Sequence, residues 1–290
     1  MPYNRRNTGG NDPTITGNGI WINNLPGSVT VTFDSTRTDK VISSLTDIPS
    51  GTSLSITNNA LTASGFSSLS ALTGNLNLSG NSISTIEIPS FNDLNGQLRL
   101  TGNLFSSLGG LANLITIAGL IDTANNVNLT ISNYPNLVSI SGTLTHIGGF
   151  LTDTELNSLT TITGTINFSS NRITTISFNS LVNVSGNLIY AINLLTSASF
   201  AQLQSINHLD LSQNFITNFS FPLLATISGL LDLSQNALDQ NAMDTLIHIF
   251  NTTITVGQTG SIDTRFQTGG GDAAMSPDYA SLVTKIIVIT

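Results

Sequence analysis

The sequence predicts a mainly β fold: a solenoid of about nine coils of 21 to 23 residues, with a cap at each end. Two observations lead to this prediction. The segment LNLSGNSI at residues 76–83 recurs in related form at 98–105, 166–173, 209–216 and 231–238. Asparagine also returns at one position of almost every unit, with leucine or isoleucine five residues before it. Self-similarity at a fixed period is the signature of stacked repeat architectures.

The asparagine position aligns the units and explains their other positions. It is occupied by Asn59, Asn81, Asn103, Asn126, Gly149, Asn171, Asn193, Asn214 and Asn236. Apolar residues five and three positions earlier give the alternation of a strand with one buried face. A single short strand cannot bury that face alone, so each coil must stack on its neighbours. We expect the asparagine amides to satisfy backbone groups where the chain turns inward.

This pattern resembles the leucine-rich repeat family, whose consensus is L-x-x-L-x-L-x-x-N-x-L, over about residues 50–250. The resemblance implies a right-handed solenoid whose strands line a concave sheet. The segments between strands, such as 84–96 and 174–186, are rich in Ser, Thr, Ile and Phe. We therefore expect short strands or extended turns there rather than helices. The units around Asn126 and Gly149 are irregular, which predicts a kink or a bulged coil.

The repeats divide the chain into four predicted regions. These are a flexible arm at 1–14, a strand-rich N-terminal cap at 15–51, the solenoid at 52–238 and an α/β C-terminal cap at 239–290. Trp21 is a candidate lid over the first coil, and Asp239 is the expected N-cap of a helix over 240–250. The helix, strand, GG-x-x-A-x-x-P loop, helix and strand of the C-terminal region resemble a terminal cap. Such caps occur in repeat proteins of tailed bacteriophages and some bacteria.

Composition excludes several classes of function. Charged residues are 8% of the chain, against roughly 25% in an average soluble protein. The net charge is −8, and only eight residues are basic, so a nucleic-acid partner is not expected. The absence of cysteine excludes disulfides and thiolate metal sites. We expect no signal peptide, because no apolar run follows Arg5 and Arg6, and no membrane span, because polar residues interrupt 101–121.

The outward-facing strand residues are the candidate binding surface. They are mostly amides and hydroxyls, which suit hydrogen bonding to a glycan or to a polar protein surface. The alternative is that they are merely solvated. The candidates are Asn75, Asn77, Arg99, Asp122, Asn167, Asn187, His208, Asp210 and Asp232. Arg5 and Arg6 are candidates for a docking arm, and the alternative for them is a disordered terminus.

Two carboxylates on adjacent strands are the one place where chemistry is conceivable. Asp210 and Asp232 occupy equivalent positions, so their side chains should lie about 5 Å apart, with His208 on the same face. Such a pair can act as acid and base or hold a cation such as calcium. It can equally be a solvated pair. No catalytic or phosphate-binding motif is present, and we predict a protein that is not an enzyme and needs no cofactor.

The function predicted from the sequence is structural or binding. The favoured context is a phage virion component: a capsid decoration, a spike or a tail-associated protein that contacts the host surface or neighbouring virion proteins. Its partners would be virion or surface proteins and a host glycan or receptor, and it would be a homo-oligomer or part of a larger assembly. The alternatives are a self-assembling bacterial surface or filament protein and an intracellular protein-binding module. The expected location is a virion or the extracellular space, with the cytoplasm as the alternative.

Overall fold

The computed structural model of the chain describes residues 28–30, 47–57, 66, 69–86, 88, 92–132, 134–255, 257–282 and 288–289. The predicted arm at 1–14, including Arg5 and Arg6, lies outside these residues. So does most of the predicted N-terminal cap at 15–51, including Trp21. The division of the chain into four regions therefore stays a prediction.

The described residues form a parallel β-solenoid, which confirms the mainly β fold class. One strand of each coil pairs in parallel with the corresponding strand of the next coil, and these ladder strands form one continuous sheet. The ladder strands are Val29–Thr30, Ser53–Ser55, Asn75–Asn77, Gln97–Arg99, Leu120–Asp122, Thr143–Thr145, Thr165–Asn167, Asn183–Ile189, Ser205–Asp210, Thr226–Asp232, Ser261–Asp263 and Val288–Ile289. Their central leucines and isoleucines, such as Leu76 and Ile166, are fully buried. The right-handed sense in which the solenoid is expected to coil stays a prediction.

Short strands also occupy the other sides of the coil. Those that precede a ladder strand are Asp47–Ile48, Ala71–Leu72, Asp93–Leu94, Thr116–Ile117, Ser139–Ile140 and Thr161–Ile162. On a further side, Thr175–Ser177, Ser197–Ser199 and Asn218–Ser220 form a three-stranded sheet. Within the described residues before 240, the only helix is the 3₁₀ turn Gly109–Leu111. The connections are thus extended, as the abundance of β-branched and aromatic residues predicts.

A column of glycines lets the chain bend sharply before each ladder strand. Its members are Gly74, Gly96, Gly119, Gly142, Gly164 and Gly186. A methyl group on Gly119 would overlap the carbonyl oxygen of Gly96, and one on Gly142 would overlap that of Gly119. Successive backbones therefore approach more closely here than any side chain allows. This contact explains why glycine opens most repeat units.

The same bend accommodates a coil that is one residue shorter than its neighbours. A single residue, Asn207, occupies the place of Ser185 and Gly186 in the preceding coil, and the strand register shifts there. In the units around Asn126 and Gly149 the ladder strands Leu120–Asp122, Thr143–Thr145 and Thr165–Asn167 pair without a register shift. The kink or bulged coil expected there stays a prediction.

Each buried asparagine joins two coils. The Nδ2 of Asn193 donates to the carbonyl of Tyr190 in its own coil (3.0 Å) and to that of Phe168 in the coil before (2.9 Å). Its Oδ1 accepts from the backbone N–H of Ile173, also in the coil before, at 3.2 Å. The same three bonds recur at Asn103, Asn171, Asn214 and Asn236. The amides thus satisfy buried backbone groups that no strand pairing reaches.

The residue before each asparagine has a left-handed backbone. Gly80, Gly102 and Gly148 have φ between 65° and 69°, and glycine adopts this conformation without strain. In other units the position carries Asn125, Ser170, Ile192, Gln213 and Gln235, with φ between 54° and 58°. This requirement explains the glycine of the LSGN segments and makes the β-branched Ile192 an unfavourable occupant.

In one unit a glycine replaces the asparagine, and a larger side chain at a neighbouring position fills the space. His146 takes the place of a core leucine and is fully buried, and Gly149 takes the place of the asparagine. A Cβ on Gly149 would overlap Nε2 of His146, so the imidazole fills the space that the asparagine side chain vacates. Nδ1 of His146 lies 2.8 Å from Oγ1 of Thr123, while Nε2 has no hydrogen-bond partner among the described residues. Burial lowers the pKa of His146 from 6.5 to about 4.

The C-terminal region continues the ladder beyond the repeats. Its helix Gln240–Thr253 begins as predicted, with the Asp239 carboxylate accepting from the Ala242 N–H at 2.8 Å. The next ladder strand, Ser261–Asp263, is followed by Gln267, whose side-chain amide donates to the carbonyls of Leu233 (3.0 Å) and Thr264 (2.9 Å). Gln267 is thus a further rung of the amide ladder. A 3₁₀ turn, Ala273–Met275, the short helix Tyr279–Leu282 and the strand Val288–Ile289 follow.

An aromatic stack attaches the C-terminal helix to the last coils. The rings of Phe178 and Phe200 are stacked with centroids 5.4 Å apart, and those of Phe200 and Phe221 are 5.1 Å apart. Phe250 of the helix lies 5.8 Å from Phe221 and ends the stack. All four rings are buried, so the helix covers the end of the aromatic core.

The glycine column gives a direct test of coil spacing. Gly119→Ala is expected to lower the free energy of unfolding by more than about 3 kcal/mol, because the methyl group would displace the neighbouring backbone. Gly109→Ala is the control, since a methyl group there would meet only the Ser107 hydroxyl, at 3.6 Å. Urea denaturation measures both. A Gly119→Ala protein as stable as Gly109→Ala would contradict the close approach.

The buried histidine predicts a specific sensitivity to acid. Because the pKa of His146 is lowered on folding, its neutral form stabilises the fold above pH 6.5, and that contribution is lost as the pH falls towards 4. The loss amounts to about 3 kcal/mol. The double variant His146→Leu with Gly149→Asn restores the residues of the other units and should remove it. Urea denaturation at pH 7 and pH 4 compares the two proteins, and an equal loss in both would contradict this account.

Candidate functional site

The structure places all nine predicted binding residues of the solenoid on one surface. They lie in two columns that run along the outside of the ladder strands, and we call this surface the ladder face. Its first column is Ser53, Asn75, Gln97, Leu120, Thr143, Thr165, Asn187, His208, Leu230 and Ser261. Its second column is Ser55, Asn77, Arg99, Asp122, Thr145, Asn167, Ile189, Asp210, Asp232 and Asp263. The predicted docking residues, Arg5 and Arg6, lie outside the described residues.

Amide groups of the first column bond to the strand before them. Nδ2 of Asn75 donates to Oγ of Ser53 at 3.1 Å, and Nδ2 of Asn187 donates to Oγ1 of Thr165 at 3.1 Å. These bonds fix the side chains in defined rotamers. A ligand that uses their remaining polar atoms would therefore cost less side-chain entropy to bind.

The second column has a structural role that the sequence reasoning missed. Oδ1 of Asn77 accepts from the backbone N–H of Ser79 at 3.1 Å, and Oδ1 of Asp210 accepts from that of Ser212 at 2.9 Å. The same bond to the residue two positions on is made by Asp122, Asn167, Asp232 and Asp263. Asn and Asp favour this local turn. Their recurrence two residues before Ser in the repeat could have revealed it.

The acidic end of the ladder face holds three carboxylates in register. Asp210, Asp232 and Asp263 lie on successive strands. The Arg265 guanidinium binds the Asp263 carboxylate, with Nε 3.0 Å from Oδ1. Burial raises the pKa of Asp232, as do Asp210 and Asp263, against hydrogen bonds from Ser234 that lower it.

The hypothesis of a cation between Asp210 and Asp232 gains little from this arrangement. The third carboxylate in line, Asp263, is already neutralised by Arg265. In the part of the chain that the structure describes, no group of three or more His, Cys, Asp or Glu side chains could hold a metal ion. His208 lies beside Leu230 in register and is one strand away from Asp232. Asp210, Asp232 and His208 are therefore neighbours on the ladder face, but they do not converge on a common point.

The candidate Arg99, and a histidine outside the candidate set, His248, are each held by a neighbouring side chain. Nη2 of Arg99 donates to Oε1 of Gln97 at 3.2 Å on its own strand, and Arg99 lies opposite Asp122 in register. Away from the ladder face, Nδ1 of His248 lies 2.6 Å from Oδ2 of Asp278, between the C-terminal helix and the segment after Met275. This pair connects the helix Gln240–Thr253 to the segment that contains Asp278.

Comparison with known proteins gives no relative: no family model matches the chain, and no curated protein matches it. No helix among the described residues is long and apolar enough to cross a membrane.

The second column predicts different effects of two substitutions at one position. Asp232→Asn keeps the Oδ1 acceptor for Ser234 and removes a carboxylate whose ionised form is disfavoured in the folded protein, so stability at pH 7 should be unchanged or higher. Asp232→Ala loses the hydrogen bond and should cost about 1 kcal/mol. Asn77 and Asn167 show that the fold accepts asparagine here. Urea denaturation decides: if Asp232→Asn were as destabilising as Asp232→Ala, the charge itself would be required.

Proposed function

We propose that this chain is a non-enzymatic, right-handed leucine-rich-repeat protein whose ladder face binds an uncharged polar ligand, most simply a host-surface glycan. The observation that carries the proposal is the neutral stretch of the ladder face from Ser53 to Asn187. It spans seven strands, or about 29 Å at about 4.8 Å per strand. Its two charged residues, Arg99 and Asp122, are of opposite sign and lie opposite each other.

The chemistry of this stretch favours a neutral hydrogen-bonding ligand. Amide and hydroxyl groups both donate and accept, as sugar hydroxyls do. A nucleic acid or an anionic membrane would need clustered cations, and Arg99 is the only one on the described ladder face. A second protein with a polar surface would meet the same requirements, which is why the intracellular binding module remains the alternative.

The proposed context is a phage particle, in which the protein decorates the capsid or forms part of a spike or tail. The sequence pattern of the C-terminal cap and the low charge support it. A self-assembling surface or filament protein is the other alternative. It is favoured by the terminal strand Val288–Ile289, which pairs on one side with Ser261–Ile262 and on its other side with no described strand.

A binding experiment tests the ligand proposal. The purified chain is applied to an array of neutral oligosaccharides, alongside the variant Gln97→Ala, Thr143→Ala, Asn187→Ala. Binding is expected in the unmodified chain and at least tenfold weaker in the variant. The control carries three changes on the other sheet, Thr175→Ala, Ser197→Ala and Asn218→Ala, and should bind as the unmodified chain does. Absence of binding, or equal binding by all three proteins, would contradict the proposal.

The context has its own test. Electron microscopy of the native assembly, with mass spectrometry to confirm this chain, should place it on a capsid or tail. Fibres of the chain alone would favour the filament alternative, and free monomers in cytoplasm would favour the intracellular one.

A further inference from the structure

Large apolar side chains are exposed in a line along one edge of the solenoid. They occupy the position directly after the asparagine of successive units. Val127 is 51% exposed and Phe215 57% exposed. The line consists of the exposed Leu104, Val127, Leu194 and Phe215, the half-buried Phe150 and the charged Arg172, and we call it the apolar edge.

The backbone explains why these residues align. In most of these units the asparagine and the residue two positions after it are both buried, so the side chain between them points outward. In the unit of Val127 the second of these residues, Asn128, is exposed. The backbone N–H of the edge residue donates to a backbone carbonyl of the preceding coil. Leu104 donates to the carbonyl of Ile83 at 2.9 Å, and Leu194 to that of Ile173 at 3.0 Å. Six coils spaced by about 4.8 Å make the edge about 24 Å long.

Large apolar side chains are also exposed elsewhere, but in the column of Ile115, Val138 and Val182 they alternate with the polar Thr160 and Gln204. Of the six residues of the apolar edge, Arg172 is the only one that is charged. The carbon at the centre of its guanidinium lies 4.1 Å from the centroid of the Phe150 ring. The one cation of the edge is thus matched by an aromatic face rather than by a carboxylate.

We propose that the apolar edge pairs with the same edge of a second copy, antiparallel about a two-fold axis between the coils of Phe150 and Arg172. In that arrangement Leu104 meets the partner's Phe215 and Val127 meets the partner's Leu194. Arg172 meets the partner's Phe150, so each cation gains a second aromatic face. A parallel pairing would place the two Arg172 side chains directly against each other, whereas the antiparallel pairing offsets them by one coil, about 4.8 Å, which lessens the repulsion between like charges.

A second copy suits the edge better than an unlike partner. Another partner would have to supply both an apolar strip of matching length and a group for Arg172, whereas the edge supplies both to itself. A strip about 24 Å long and one side chain wide is smaller than the roughly 800 Å² per partner of stable complexes. The dimer is therefore concentration-dependent. Because each chain carries a net charge of −8, screening by salt should strengthen it.

Disulfide trapping tests the arrangement, since the chain has no cysteine of its own. Under mild oxidation, an equimolar mixture of Val127→Cys and Leu194→Cys should form crosslinked dimers at least tenfold faster than either variant alone. Leu223→Cys, which is 45% exposed away from the edge, is the control partner for each variant. Equal rates in all mixtures, or dominant crosslinking of either variant with itself, would overturn the antiparallel pairing.

Sedimentation equilibrium tests the surface without crosslinking. Phe215→Asp should weaken self-association at least tenfold, while Leu223→Asp should leave it unchanged, and the association constant should rise with salt. Circular dichroism verifies that both variants are folded. A chain that stays monomeric at all concentrations, or one whose association Phe215→Asp does not alter, would overturn the proposal. Flotation of the monomer with uncharged phosphatidylcholine vesicles would assign the edge to lipid instead. None of these outcomes bears on glycan binding by the ladder face.

Discussion

The amide ladder is the interaction on which the solenoid depends. Where the chain leaves a ladder strand and turns inward, two carbonyls and one N–H are left without strand partners, and one asparagine side chain satisfies all three. Two of those three bonds reach the preceding coil, so the turn and the stacking of coils are stabilised together. Removing Asn193 would leave the buried N–H of Ile173 unpaired, while the carbonyls of Phe168 and Tyr190 would each keep one of their two amide donors.

The amide ladder also determines which side-chain positions can vary without loss of the fold. Once amides and leucines fill the interior, the outward positions of the ladder strands are constrained only by the turn that the second column makes. The position after the asparagine is constrained less, since its backbone bonds use no side-chain atoms. A polar face and an apolar edge can therefore lie on one solenoid, separated by a few residues in each coil.

Much of the fold could be predicted from the sequence, because alternation and a fixed period report directly on strands and stacking. The outward positions of Asn75, Asp210 and the other candidates on the ladder strands could be predicted from the same alternation. The ligand that they bind could not be predicted, since the sequence pattern of a hydroxyl or amide on a strand is the same whether the group is solvated or bound to a ligand. Gln267 escaped notice because the helix Gln240–Thr253 interrupts the period and glutamine replaces asparagine. The exchange between His146 and Gly149 involves two positions at once, which a column-by-column comparison does not detect.

The bend at Asn207 has a consequence for how such a protein changes length. The coil there has lost one residue, yet its strand pairs on both sides and its amide rung at Asn214 is intact. Small deletions are thus tolerated at a single place in the unit. Duplication or loss of a whole unit by recombination would keep the leucine, asparagine and glycine positions of neighbouring coils aligned. The reach of both surfaces could then be adjusted in steps of one coil, without the invention of a new core.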